Sequence, residues 1–178
     1  MRIGTCIVLA LGLGGSGTAG AEVKSVAVTG FAIEQTLTLK AAPDQVYDAL
    51  VDVGRWWDGA HSYSGKADHL RIEPRAGGCF CERLDAGGSV LHATVVFAAR
   101  PQLLRMSGAF GPLQSMGVSG AASWEIGAAG TGSTLKFSYA VGGYAGGTSF
   151  EQLAPMVDGM FAGQMARLKS YVERGRPD

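Results

Sequence analysis

Residues 118–141 read VSGAASWEIGAAGTGSTLKFSYAV, and the alternation in this stretch decides the fold. Ala122, Trp124 and Ile126 fall on one face of an extended chain, with Glu125 on the other. Leu135, Phe137, Tyr139 and Val141 share a face opposite Lys136 and Ser138. Between the two runs stands Ala129-Gly130-Thr131-Gly132, whose residues suit a tight turn. Two such runs joined by such a turn predict an antiparallel hairpin with one buried face. The wider segment 127–133 is glycine-rich, but it has no lysine and precedes a strand, so it reads as a turn and not as a phosphate loop.

The same reading extends outward. Further strands are predicted at 31–39, 68–74, 79–85, 89–99 and 102–109, beside 118–127 and 133–141. Gly77-Gly78, Ala86-Gly87-Gly88, Arg100-Pro101 and Gly111-Pro112 separate them. Pro43 opens a helix in which Val46, Tyr47, Leu50 and Val53 recur at helical spacing, and Gly54 ends it. A short helix or turn is expected at Arg55-Trp56-Trp57-Asp58. From Ser149 to Arg174 the apolar residues Leu153, Val157, Met160, Phe161, Leu168 and Val172 predict one long amphipathic helix, interrupted by polar Gln164. The class is therefore α+β: a long antiparallel sheet of about seven strands that must bury one face, with one long C-terminal helix available to cover it.

Hydrophobic residues make up 47% of the 178, enough for a packed core, which excludes a disordered chain. The formal net charge is zero, so no basic surplus supports a nucleic-acid partner held through phosphates. Three cysteines are too few for a disulfide-built scaffold. Cys79 and Cys81 lie two apart on one strand face. A disulfide there is expected to be strained, and two small buried hydrophobes are the plainer reading.

Met1-Arg2, the apolar run Ile3–Leu13 and the small residues ending in Ala19-Gly20-Ala21 have the form of a signal peptide. Cleavage is expected between Ala21 and Glu22, giving a periplasmic or secreted protein. The run is too short to span a bilayer, so no stable membrane insertion is expected after cleavage. The expected divisions are a signal peptide at 1–21, an N-terminal extension at 22–30, one domain at 31–174 and a tail at 175–178.

Several local phrases carry a family resemblance. Ala42-Pro43-Asp44-Gln45-Val46-Tyr47-Asp48-Ala49-Leu50 after a strand, the tryptophan pair at 56–57, and Glu73-Pro74-Arg75-Ala76-Gly77-Gly78 resemble the START-like superfamily, also called SRPBCC or helix-grip proteins. That superfamily includes polyketide cyclases, lipid-transfer domains and the C-terminal domains of chaperone-ATPase activators. Phe110-Gly111-Pro112-Leu113-Gln114, Tyr139-Ala140-Val141-Gly142-Gly143-Tyr144, and Val157-Asp158 with Gln164, Arg167, Leu168 and Lys169 are similar to a bacterial subgroup of SRPBCC-domain proteins. The resemblance spans 31–174 and implies a sheet gripping the last helix around an apolar pocket. A small apolar or amphipathic molecule is the implied partner, with no cofactor.

The candidate ligand-binding residues are Trp56, Trp57, Phe80, Glu82, Phe97, Met106, Trp124, Tyr139, Met156, Met160 and Gln164. Trp56 and Trp57 supply apolar area at a pocket mouth or pack the short helix on the sheet. Flexible thioethers at Met106, Met156 and Met160 suit a ligand wall as well as plain core. Phe97 is grouped with Leu91, Ala93 and Val95 on one inward face of 89–99. Glu82 shares a face with Phe80 and Leu84. If that face is inward, desolvation raises its pKa and makes it an acid, base or ligand anchor; if outward, it is solvated and the cysteines face in. Gln164 bonds a ligand or a sheet backbone group. No catalytic residue is assigned. A cyclase- or dehydratase-type enzyme is the alternative function, with Glu82 and Tyr139 as its acid–base pair. A protein-interaction module is the third. His61, His69 and His92 lack metal-ligand spacing, so no metal is expected.

Overall fold

The alternating runs form strands close to their expected limits. The computed structural model describes residues 21–178; the expected signal segment lies outside the described residues except for Ala21. Strand β1 spans Ala21–Ala27, β2 Gly30–Leu39, β3 Leu70–Ile72 and β4 Cys79–Arg83. Strand β5 spans Ser89–Ala99, β6 Leu103–Ser107, β7 Gly117–Ala129 and β8 Gly132–Tyr144. They build one eight-stranded sheet in the order β1-β2-β8-β7-β6-β5-β4-β3, antiparallel throughout. Most neighbours are sequential hairpins. The β2–β8 pairing joins the start of the domain to its end, with Phe31 opposite Val141 and Ile33 opposite Tyr139. The eighth strand is β1: residues 22–30, read as an extension, supply it and a two-residue turn onto β2.

Helix α1 (Pro43–Val51) begins with proline at its first position, where a missing N–H costs nothing. Gln45 Oε1 accepts from the Ala42 N–H at 3.1 Å, and Val46, Tyr47 and Leu50 are buried. Helix α2 (Phe150–Arg174) is capped by Ser149, whose hydroxyl accepts from the Gln152 N–H at 3.3 Å. It ends at Gly175, whose left-handed backbone (φ 75°) returns an N–H to the Tyr171 carbonyl. No described helix is long and apolar enough to cross a membrane.

The core lies between α2 and the concave sheet face. Phe161 of α2 sits at its centre, with ring centroids 4.5 Å from Phe137, 5.5 Å from Phe110 and 5.7 Å from Tyr139. On β7 and β8 the large apolar side chains fall on every second residue, and Trp124, Ile126, Leu135, Phe137 and Tyr139 are all buried.

Strand β5 departs from the expectation. Its pairing with β4 slips between Phe80 and Cys81, and its pairing with β6 slips between Val95 and Phe97. Each bulge inserts a residue and reverses the side-chain parity beyond it. Ala93 and Val95 therefore stay buried, while Leu91 and Phe97 turn outward, 57% and 47% exposed. His92 turns in. Gly108 permits the close approach: a Cβ there would stand 2.5 Å from the His92 carbonyl oxygen.

On β4, Phe80 and Glu82 face inward and are buried. Cys79 and Cys81 lie half-buried on the other side and are joined in a disulfide, against the reading of two unbonded buried thiols. Their Cα atoms are 5.4 Å apart, within disulfide range, at the residues where the bulge distorts the strand.

Candidate functional site

A cavity of about 710 Å³ opens between α2, the β4–β5 end of the sheet, the segment 57–63 and the turn 110–115. Each wall has a local cause. Alternation on β4 sends Phe80 inward, and the bulge on β5 sends His92 beside it, with ring centroids 5.0 Å apart. The Leu153, Val157 and Met160 face of α2 closes the far side. Trp57 packs edge-on to Phe80 and Phe161, and its Nε1–H donates to the His61 carbonyl at 3.0 Å.

The segment 57–63 has little regular structure, so side chains from α2 hold its root. Gln164 Oε1 accepts from the Asp58 N–H at 2.9 Å, and Arg167 Nε donates to the Trp56 carbonyl at 2.9 Å. At the rim, the Tyr63 hydroxyl donates to the Gly111 carbonyl at 2.9 Å, which ties 57–63 to the facing turn. Tyr63 and Met156 line the cavity while 55% and 68% exposed, and so mark its mouth.

Behind the aromatic wall lies an ionisable pair. Glu82 is fully buried. Its carboxylate accepts from the Tyr63 N–H at 3.1 Å, from the Ser64 N–H and from His92 Nε2 at 3.0 Å. Burial pushes its pKa up, but the bonds from Ser64, Tyr63 and His92 outweigh burial and hold it below the ordinary carboxylate value. Burial lowers the pKa of His92, and Glu82 offsets only part of that. The pair at neutral pH is thus an ionised carboxylate and an uncharged imidazole. An ionised carboxylate only accepts hydrogen bonds, so the imidazole proton sits on Nε2 and Nδ1 keeps its lone pair. Among the described residues no sealed side-chain nitrogen or oxygen lacks a partner, and the one hydrogen bond of the His92 ring is through Nε2. Nδ1 makes none, on a ring that lines the cavity.

Of the candidates named from sequence, Trp57, Phe80, Met156 and Met160 line the cavity. Trp56, Met106, Trp124 and Tyr139 are buried in the core, away from its lining. Trp56 donates to the Ala49 carbonyl at 2.9 Å. The Tyr139 hydroxyl donates to the Gly108 carbonyl at 3.1 Å and accepts from the Phe110 N–H at 3.4 Å, while burial raises its pKa. Glu82 and Tyr139, paired from sequence as acid and base, both have their polar atoms committed to the protein. Gln164 makes a structural bond, but to the Asp58 N–H and not to the sheet. Phe97 is corrected outright, because the bulge at Val95/Phe97 turns it to the outside. His92, Tyr63, Phe110 and Leu113 were not singled out as site residues. A period-two reading of β5 places His92 outward, and only Gly108, just past the end of β6, hints otherwise. Among the described residues no group of three His, Cys, Asp or Glu side chains gathers to hold a metal.

Comparisons with known proteins agree with this architecture. The sequence profile of the family described as polyketide cyclase / dehydrase and lipid transport matches residues 31–173. Among curated proteins no sequence matches. CalU16 from Micromonospora echinospora superposes with a TM-score of 0.58 at 18% identity, over 91% of this chain and 88% of that one. DynU16, from the dynemicin biosynthetic locus, gives 0.60 at 17% identity, over 82% of this chain and 48% of its own. A Rhizobium leguminosarum protein gives 0.60 at 15% identity, over 89% and 99%. At these identities the likeness is one of fold.

Proposed function

The chain belongs to the polyketide cyclase / dehydrase and lipid transport family, and on that premise we propose that it holds one largely apolar or amphipathic small molecule in the cavity. One observation carries the reading: a volume of about 710 Å³ stays open beside a tightly packed aromatic core and is walled mainly by apolar side chains. Apolar area removed from water is worth about 25 cal/mol per Å², so burying some 300 Å² of ligand contributes roughly 7 kcal/mol before ordering costs. About 7 kcal/mol corresponds to a dissociation constant of about 10 μM, from which those costs subtract, and no reaction is needed. Polar atoms of the ligand orient toward Tyr63 and His92, the mouth and the inner wall.

The protein carrying this cavity is exported in the same proposal. The signal-like residues 1–21 support that, with Glu22 as the first residue of the mature chain. Native mass spectra of protein purified gently from the exported fraction of its own organism test both parts. The expected spectrum shows a mature mass starting at Glu22 and an adduct that disappears on denaturation. Retention of Met1 overturns export. Failure of the purified protein to bind any of a panel of apolar probes overturns the cavity reading.

An enzyme is the second reading. His92, uncharged and on the cavity wall, is its candidate base, whereas the Glu82 carboxylate is committed to Tyr63, Ser64 and His92.

A further inference from the structure

We propose that Glu82 and His92 form a base dyad that removes a proton from an activated C–H bond of an apolar molecule in the cavity, with His92 Nδ1 as the acceptor. The inference rests on the cavity being a ligand site.

Three features of the structure converge. His92 reaches the cavity only because the β4–β5 bulge adds a residue to β5, and Gly108 leaves room for that bulge. Glu82 binds Nε2 at 3.0 Å and is itself fixed by two backbone N–H donors, so tautomer and ring angle are set before any ligand arrives. The Tyr63 ring stacks on the imidazole, with centroids 5.9 Å apart and planes 28° from parallel, and restricts it from the mouth side. Orientation of an imidazole by a buried carboxylate is the arrangement that prepares a general base.

In the proposed step the C–H proton moves to Nδ1 and its electron pair stays on the substrate as a stabilised carbanion or enolate. The imidazolium gains charge 3.0 Å from the Glu82 carboxylate, which stabilises it. The proton then returns from Nδ1 to the same or a neighbouring substrate atom, so no other reactant is needed. His92 is the catalytic residue and Glu82 the positioning residue. Glu82 is the charged group in contact with the ring, Tyr63 stacks on it, and His61 lines the same cavity.

The test uses 5-nitrobenzisoxazole, a small apolar probe that requires only a placed base. Its C3–H proton passes to the base, the C–H electrons form the nitrile, and the N–O bond breaks to give 2-cyano-4-nitrophenolate, followed by absorbance. Folding of every variant is checked by circular dichroism, and probe binding by quenching of tryptophan fluorescence. In the full chain, His92→Ala and His92→Gln are expected to lower kcat/KM by about 100-fold or more with binding kept. The pH–rate profile is expected to rise with a midpoint below the ordinary histidine value and to lose that limb in both variants. In Glu82→Gln, the ¹⁵N spectrum of His92 is expected to move from the Nε2–H form toward the Nδ1–H form as the rate falls.

A bound probe without turnover overturns the dyad, as does turnover that survives His92→Ala. If the probe does not bind, the cavity reading is what fails, and the dyad is judged on the wild-type ¹⁵N spectrum. A neutral Nε2–H imidazole then supports it, and an Nδ1–H imidazole overturns it.

Discussion

The two walls of the molecule are built by opposite rules. On β7 and β8 every second residue enters the core, where Phe137 and Tyr139 pack against Phe161 and Trp124 packs against Phe137. On β4 and β5 two bulges break the period, a histidine replaces a hydrophobe on the inner face, and a cavity opens. Regular pairing maximises packing, because every inward side chain meets a neighbour of known height. Interrupted pairing gives up some of that packing and re-aims one polar side chain. The regular wall carries stability and the interrupted wall carries the candidate chemistry.

The sharpest way to break this contrast is to cut into the regular wall. Phe161→Ala removes the ring that touches Trp57, Phe110, Phe137 and Tyr139, and is expected to cost about 3–5 kcal/mol by guanidinium unfolding. A loss below about 1 kcal/mol means that this wall is not tightly packed.

Next is the bulge itself. Gly108→Ala places a methyl group 2.5 Å from the His92 carbonyl oxygen and 2.8 Å from Ala93. It is expected to cost about 1–3 kcal/mol and to shift the His92 ¹⁵N resonances. Unchanged resonances show that the close approach does not set the position of His92.

Two neighbours in sequence give a graded comparison. Val95, fully buried, is expected to lose about 2 kcal/mol on replacement by alanine, whereas Phe97→Ala should change stability by less than about 0.5 kcal/mol and leave ligand binding intact. Weakened binding in Phe97→Ala restores the uninterrupted period on β5.

The smallest effect is on pH. The folded value of His92 lies below the ordinary 6.5, so the unfolded chain takes up its proton first as pH falls. Its contribution is complete above 6.5 and is lost progressively below it, through the folded value. Unfolding midpoints at pH 7.5 and 5.5 should show a drop in the wild type and a smaller drop in His92→Gln. Equal drops place the titration elsewhere.

The fold was legible because its signals are local. Ala122 to Ile126 and Leu135 to Val141 carry apolar residues at every second position, Pro43 and Ser149 mark helix starts, and Gly175 marks a helix end. Strand β1 is not legible in the sequence because only Val23 of its residues 22–27 is even partly buried, which leaves no apolar period. The candidate site was legible only where it rests on period. Phe80, Met156 and Met160 follow from strand and helix spacing, whereas His92 and Phe97 do not. A bulge is a property of two strands in register, and a single strand's sequence does not contain it. Glu82 shows the other gap: its inward face was one of two alternatives, but its partners at Tyr63, Ser64 and His92 come from three separate chain segments.

Filling the cavity tests most directly whether the open space beside His92 is where a ligand sits. The measurement is the dissociation constant of 1-aminoanthracene, a neutral fluorescent probe, for the wild type and for Met160→Trp, whose indole would project into the lined volume. The expected result is saturable binding, one probe per chain at micromolar concentration, weakened about 10-fold or more in Met160→Trp with the unfolding midpoint held. Equal affinity in the two proteins, or no saturable binding in the wild type, would contradict it.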